Sequence, residues 1–201
     1  MNKQVLLVFS AIILFGGFLL KASAAEAAPV PQWQEITMQQ DVVVLVEKSA
    51  NTMTVFYQGK PVKRFLCVSG VNAQGDKQRQ GDNRTPEGTF FITDKELLHD
   101  DPYLGRKWIG LSYPDPVHAQ RGMEQKLISV SQYQEIILAN EQKVQPPQDT
   151  ALGGWIGIHG GRDDLTERKI NWTEGCLALQ DDDLTELYKM VQYGTTVIIV
   201  A

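Results

Sequence analysis

The 201 residues are 43% hydrophobic and 21% charged, which suits one domain with a proper core, is short for two, and excludes a disordered class. The formal net charge is −5. Without residues 1–24 the balance is 17 basic against 24 acidic residues, which lacks the basic footprint that nucleic acid requires of a partner.

Lys3 precedes an apolar run over 5–20, and Ala22, Ser23 and Ala24 follow at offsets suited to signal peptidase. Residues 1–24 therefore read as a signal peptide, with an uncleaved N-terminal anchor as the alternative. Either reading exports the folded part, and the membrane is met only through this segment. Residues 25–40, with small residues and two prolines, read as a linker. The domain spans 41–201. Its first part is a β-meander: a valine-rich strand at 42–46, an alternating one around Met53, Val55 and Tyr57, a turn at 58–61, and a partner strand at 62–68 that holds Cys67.

Residues 70–84 break every periodicity and carry Lys77, Arg79 and Arg84, either a solvated loop or one that faces substrate. A turn at 85–88 leads into a strand at 89–93, and 107–113 is a further strand stopped by Pro114 and Pro116. Residues 118–144 read as helical, with Ser131 as N-cap and Tyr133, Ile136, Ile137 and Ala139 as the apolar face. A short strand at 155–158 delivers His159, and 160–172 is a polar loop. Asp181, Asp182 and Asp183 open a helix whose apolar face is Leu184, Leu187, Tyr188 and Val191; a helix start explains the acidic run better than a cation site. Gly194 stops it, and 195–200 is a buried strand. Roughly seven or eight strands and two or three helices give a mostly β sandwich or barrel.

Cys176 follows Gly175, and His159, 17 positions upstream, precedes Gly160 and Gly161. A thiol needs a base near neutral pH, and histidine titrates there, so the two read as a nucleophile–base pair. Amides at 174–176 would converge on an oxyanion, and a backbone carbonyl beyond His159 would hold its tautomer. The residues alone leave open a buried structural cysteine with a satisfied core histidine, or a Cys67–Cys176 disulfide. His99, His118 and His159 show no ligand spacing, and no Cys-x-x-Cys or phosphate loop is present. No metal and no cofactor are expected.

Thr85-Pro86-x-Gly88, Ile158-His159-Gly160, Thr173-x-Gly175-Cys176 before an acidic helix, and Gly194-Thr195-x-Val197 together resemble the L,D-transpeptidase (YkuD-type) catalytic domain over 41–201. Lys77-Gln78-Arg79-Gln80-Gly81-Asp82 and Trp172-Thr173-x-Gly175-Cys176-x-Ala178 look like its YafK-like branch. The resemblance implies a single catalytic domain with the family's β-sandwich, located in the periplasm or cell envelope. Cys176 would attack the diaminopimelate–D-alanine bond of a peptidoglycan tetrapeptide stem, with His159 moving the proton and the Gly160 carbonyl orienting the imidazole. Amides at Glu174, Gly175 and Cys176, beside Thr173, would hold the oxyanion. The acyl group would pass to an amine on a second stem or a wall-anchored lipoprotein. Passage to water is the alternative, making the protein an amidase or carboxypeptidase, and a non-catalytic wall-binding domain with the disulfide is a second one. The family usually carries histidine before the Gly-Cys pair and arginine two residues after it; this chain has Glu174 and Ala178. Lys77, Arg79 and Arg84 are the residues expected to contact the stem carboxylate instead.

Overall fold

A computed structural model of the protein describes residues 32–201. The expected signal segment 1–24 and residues 25–31 of the expected linker lie outside the described residues. The remainder of that linker is helical: Gln32–Gln39 forms α1. Its Trp33 and Ile36 pack on Val43, Leu45, Phe56 and Ile198. Pro29 and Pro31 stand before this stretch in the sequence rather than within it, so they remove no helical hydrogen bond from it.

The valine run becomes Val42–Glu47 (β1), covered by α1 on one face and by the core on the other. It pairs antiparallel with Thr52–Tyr57 (β2), and β2 with Lys60–Leu66 (β3). Gln58 and Gly59 have φ of 47° and 75°, the left-handed pair that a tight hairpin turn demands. Next comes Gly88–Asp101 (β4), 14 residues long, and Gly105–Leu111 (β5).

The one helix expected over 118–144 is two. Pro116–Glu124 (α2) is capped by Asp115, and Val130–Glu141 (α3) by Ser129 rather than Ser131. Ser129 and Gln132 form a reciprocal capping box, with Ser129 Oγ accepting the Gln132 N–H at 3.2 Å and Gln132 Oε1 accepting the Ser129 N–H at 3.0 Å. Ala119, Ile128, Ile136 and Leu152 make a small core of their own around this hairpin.

Gly157–His159 (β6) follows, then Asp163–Glu167 (α4) inside the expected polar loop, Leu177–Ala178 (β7), Asp181–Met190 (α5) and Thr196–Val200 (β8). The three aspartates do open α5, but Gln180 is its N-cap without a side-chain bond. Instead Asp163 Oδ1 of α4 accepts the Asp181 N–H at 3.0 Å. The described residues thus hold eight strands and five helices, more helices than expected, because short helices lack a full period to read.

The strands form one mixed sheet in the order β3-β2-β1-β8-β4-β5-β6-β7. Its first leaf runs to β8, which pairs with Gly88 to Phe91 of β4; from Ile92 onward β4 pairs with β5. Side chains of both leaves and of α5, among them Val44, Phe65, Ile92, Ile158, Leu177 and Leu187, join in one core. This is a single β-rich sandwich domain in which β4 passes from one leaf to the other. It places the short parallel pair β6–β7 at the end of the second leaf, where glycine-flanked loops leave the sheet.

Candidate active site

Ile158 pairs with Leu177 and His159 with Ala178 across β6 and β7. Ile158 and Leu177 point into the core. Strand alternation therefore turns His159 to the opposite face, together with Cys176, the residue before Leu177. The two are diagonal neighbours on one face, within reach of a ring. This register unites residues 17 positions apart.

The imidazole is wholly buried. Tyr103 and Trp108 stack on it with centroids at 5.7 and 6.2 Å, and Trp172 meets it edge-on at 5.4 Å. His159 Nδ1 lies 2.9 Å from the Gly160 carbonyl oxygen. A carbonyl only accepts, so Nδ1 carries the proton and Nε2 holds the lone pair. Nε2 is buried without a hydrogen-bond partner. Burial pushes the imidazole below the usual histidine range, opposed by the Gly160 carbonyl and by Asp101 and Asp181. His159 is thus a neutral imidazole whose free nitrogen is buried.

Cys176 is half-buried, and its thiol donates to the Trp155 carbonyl at 3.3 Å. Desolvation pushes it up to about 11, offset in part by a Gly157 hydrogen bond and the Lys77 charge and reinforced by Glu174. Near neutral pH, thiol and imidazole are both uncharged. Cys67 is also free, inside the core, its thiol pushed up to about 12 by burial. The disulfide alternative is overturned: Cys67 faces the core, whereas Cys176 faces the opposite side of the sheet.

Thr173 Oγ1 donates to the Cys176 carbonyl at 2.6 Å and accepts the Gly175 N–H at 3.2 Å. The Gly175 amide, one of three expected to hold an oxyanion, is therefore committed within the turn. Gly175 has a φ of 143°, and a Cβ there would lie 2.9 Å from the Arg84 carbonyl oxygen and 3.1 Å from Ile156 Cδ1. Gly175→Ala is expected to cost about 1–3 kcal/mol and displace the thiol. Urea melts and the alkylation rate of Cys176 check this; wild-type values in both would refute the constraint.

Cys176 and the exposed Glu174 border an open cleft of about 480 Å³. One wall is Lys77, Gln80, Gly81 and Asn83; the other comes from β4 and the β4–β5 turn, with Glu96, Leu98 and Tyr103. Gln148 and residues 153–156 close a third side. His159 lies behind this surface. Of the three cations expected to meet a carboxylate, Lys77 reaches the cleft. Arg79 and Arg84 line a separate depression with Asn72, Gln78 and Asp82, because Asp82 accepts the backbone N–H groups of Gln78, Arg79 and Arg84 and curls the loop. Ala178 lies fully buried between His159 and Val68, so an arginine would not fit there.

Two cleft residues escaped sequence reasoning. Tyr103, at the tip of the β4–β5 hairpin, has a hydroxyl acted on by the Glu174 amide and by the Glu174 and Cys176 side chains. Trp155 is 66% exposed with a φ of 55°, strained backbone for so bulky a residue. Gln148 Oε1 holds it by accepting its N–H at 2.5 Å. The preceding Gly153-Gly154 pair is its one sequence signal. Among the described residues, no group of three or more His, Cys, Asp or Glu is arranged to hold a metal, and no helix is long and apolar enough to cross a membrane.

Residues 41–199 match a family model described as YkuD, L,D-transpeptidase catalytic domain. Among solved structures, the chain is similar to Bd1075 of Bdellovibrio bacteriovorus, with TM-score 0.52 and 16% identity, covering 80% of this chain and 48% of that one. It is also similar to the helical cell shape determining protein Pgp2 from Campylobacter jejuni, with TM-score 0.53 and 22% identity, covering 83% and 53%. The likeness is one of fold, and the chain spans about half the length of each. A comparison with curated proteins found no match.

Proposed function

The chain belongs to the YkuD family of L,D-transpeptidase catalytic domains, and from that premise we propose that it is an exported cysteine L,D-transpeptidase acting on peptidoglycan tetrapeptide stems. Cys176 Sγ attacks the carbonyl carbon of the third stem residue while His159 Nε2 takes the thiol proton. The Cys176 amide and the Tyr103 hydroxyl, to which the Glu174 amide is already bonded, stabilise the developing oxyanion. The bond to D-alanine breaks, and His159 returns the proton to the leaving amine. The resulting thioester passes to an acceptor amine, whose proton His159 removes, and the thiol is restored on release.

The observation that carries the proposal is the Nδ1–carbonyl bond of His159. It leaves a buried, unpartnered Nε2 on the sheet face that also carries Cys176, with the cleft opening above the thiol. A merely structural histidine buried this deeply would satisfy both nitrogens.

Wild type and Cys176→Ala are to be incubated with defined muropeptides, with and without an attached lipoprotein terminus, and the products weighed by mass spectrometry. Stem dimers joined through their third residues mean transfer. Loss of D-alanine or release of the lipoprotein without dimers means that water is the acceptor. Identical products from both forms would remove Cys176 as nucleophile.

The pH dependence follows from the depressed histidine. The working form is neutral, so kcat/KM should hold above the usual histidine value and fall as pH drops through the lowered one. The acid limb is expected below pH ~6.5. A limb above neutrality would contradict the assignment.

A further inference from the structure

Behind the cleft wall, on α2, His118 is 1% exposed. Its Nδ1 lies 2.6 Å from Asp115 Oδ1 and its Nε2 2.9 Å from Asp76 Oδ1. Asp76 also accepts Arg121 Nη1 at 2.6 Å and the Glu87 N–H at 2.9 Å, while Asp115 accepts the His118 N–H at 2.8 Å. Acceptors so heavily engaged are carboxylates, which leaves both ring protons to the imidazole and makes His118 a buried imidazolium. Burial alone would depress it and raise Asp76, but the mutual hydrogen bonds outweigh this in both. A charge this deep persists only when paired on every side. Nothing in the mechanism above uses it.

What it fixes is the next residue along. Lys77 follows Asp76, and Arg121 Nη2 donates to the Lys77 carbonyl oxygen. The Lys77 side chain is buried, passes beside Gly153, and pairs with Asp82 Oδ1 at 2.8 Å. It borders the cleft with Cys176, where its positive charge favours the thiolate.

Resting on the reading of Cys176 as nucleophile, we infer that His118 is a positioning residue: by clamping Asp76 between α2 and the 76–84 loop, it holds the Lys77 ammonium where it stabilises the Cys176 thiolate. His118 does not touch the substrate. The 76–84 loop is polar, with no apolar side chain of its own and a single glycine, Gly81, and so Lys77 is held in register by these ionic bonds together with Asp82.

The experiment titrates the thiol itself, without peptidoglycan. The rate of iodoacetamide addition is followed against pH in the full chain, with the adduct located on Cys176 by mass spectrometry so that Cys67 is not counted. Lys77→Met is expected to slow addition at pH ~8 by about three- to tenfold, since the unpaired thiolate becomes costlier. His118→Gln should slow it in the same direction. The double variant should be no slower than Lys77→Met alone, because both remove one effect. Should circular dichroism show that His118→Gln does not fold, Asp76→Asn takes its place in the same cycle. An unchanged thiol titration in the His118 or Asp76 variant, or an effect that adds in full to that of Lys77→Met, would overturn the inference. If wild type proved inert on muropeptides while the cycle closed as expected, the inference would stand and the proposed reaction would fall.

Discussion

Cys176→Ala is expected to reduce turnover of muropeptides by roughly 10⁴–10⁶-fold, the scale on which loss of an enzyme's nucleophile is felt. The fold should hardly notice. The thiol is half-buried at the cleft and makes only weak sulfur hydrogen bonds, to the Trp155 carbonyl and with the Gly157 amide, so its removal costs little and leaves little void. A thermal midpoint within a few degrees of wild type, with product formation gone, is the expected pair of results. Residual turnover within about tenfold of wild type would mean that the acyl group is never carried on this sulfur.

His159→Gln comes second in magnitude, at about 10²–10⁴-fold in kcat. Glutamine keeps an amide donor for the Gly160 carbonyl but supplies no titratable base where Nε2 stood. The thiol, pushed up to about 11, would then lose its proton to solvent alone, and activity should rise with pH toward that value instead of levelling off near neutrality. That change of profile separates a lost base from a lost structural ring. The ring also packs among Tyr103, Trp108 and Trp172, so some loss of stability accompanies the change. Combining the two substitutions should cost no more than Cys176→Ala alone, because the base has no work without the nucleophile. Fully multiplicative losses would point to two independent contributions.

Parts of this molecule were legible residue by residue. The valine run at β1, the Gly59 turn and the acidic start of α5 could be read from spacing, because each follows from burial or backbone demands within a few residues. Motifs around Cys176 and His159 carried the family resemblance over the whole domain. Short helices were not legible. Helix α1 shows one apolar face only once the sheet lies beneath it, and α4 is too brief for a period. The break between α2 and α3 turned on Ser129 rather than Ser131, two equally good caps in sequence. Each has a glutamine three residues on, Gln132 and Gln134, and only the structure shows that Ser129 and Gln132 make the box.

The site divides the same way. Lys77, Arg79 and Arg84 look alike in a basic run, yet Asp82 gathers the loop's amides and sends only Lys77 toward the thiol. Tyr103, Trp155 and His118 sit in segments with no motif, and each bears on residues distant in the chain, as Trp155 does on Cys176, 21 positions on.

The sequence by itself determined that a β-rich domain would carry one histidine at a strand end and one cysteine in a glycine turn. Apolar alternation and glycine placement are local physics that a linear chain records. Only the tertiary structure decided which imidazole nitrogen is free, which cation faces the sulfur, and that Cys67 lies apart from Cys176. Those depend on strand register and on charges packed together from distant segments, and a single shift in the β6–β7 pairing would turn His159 into the core and away from the cysteine.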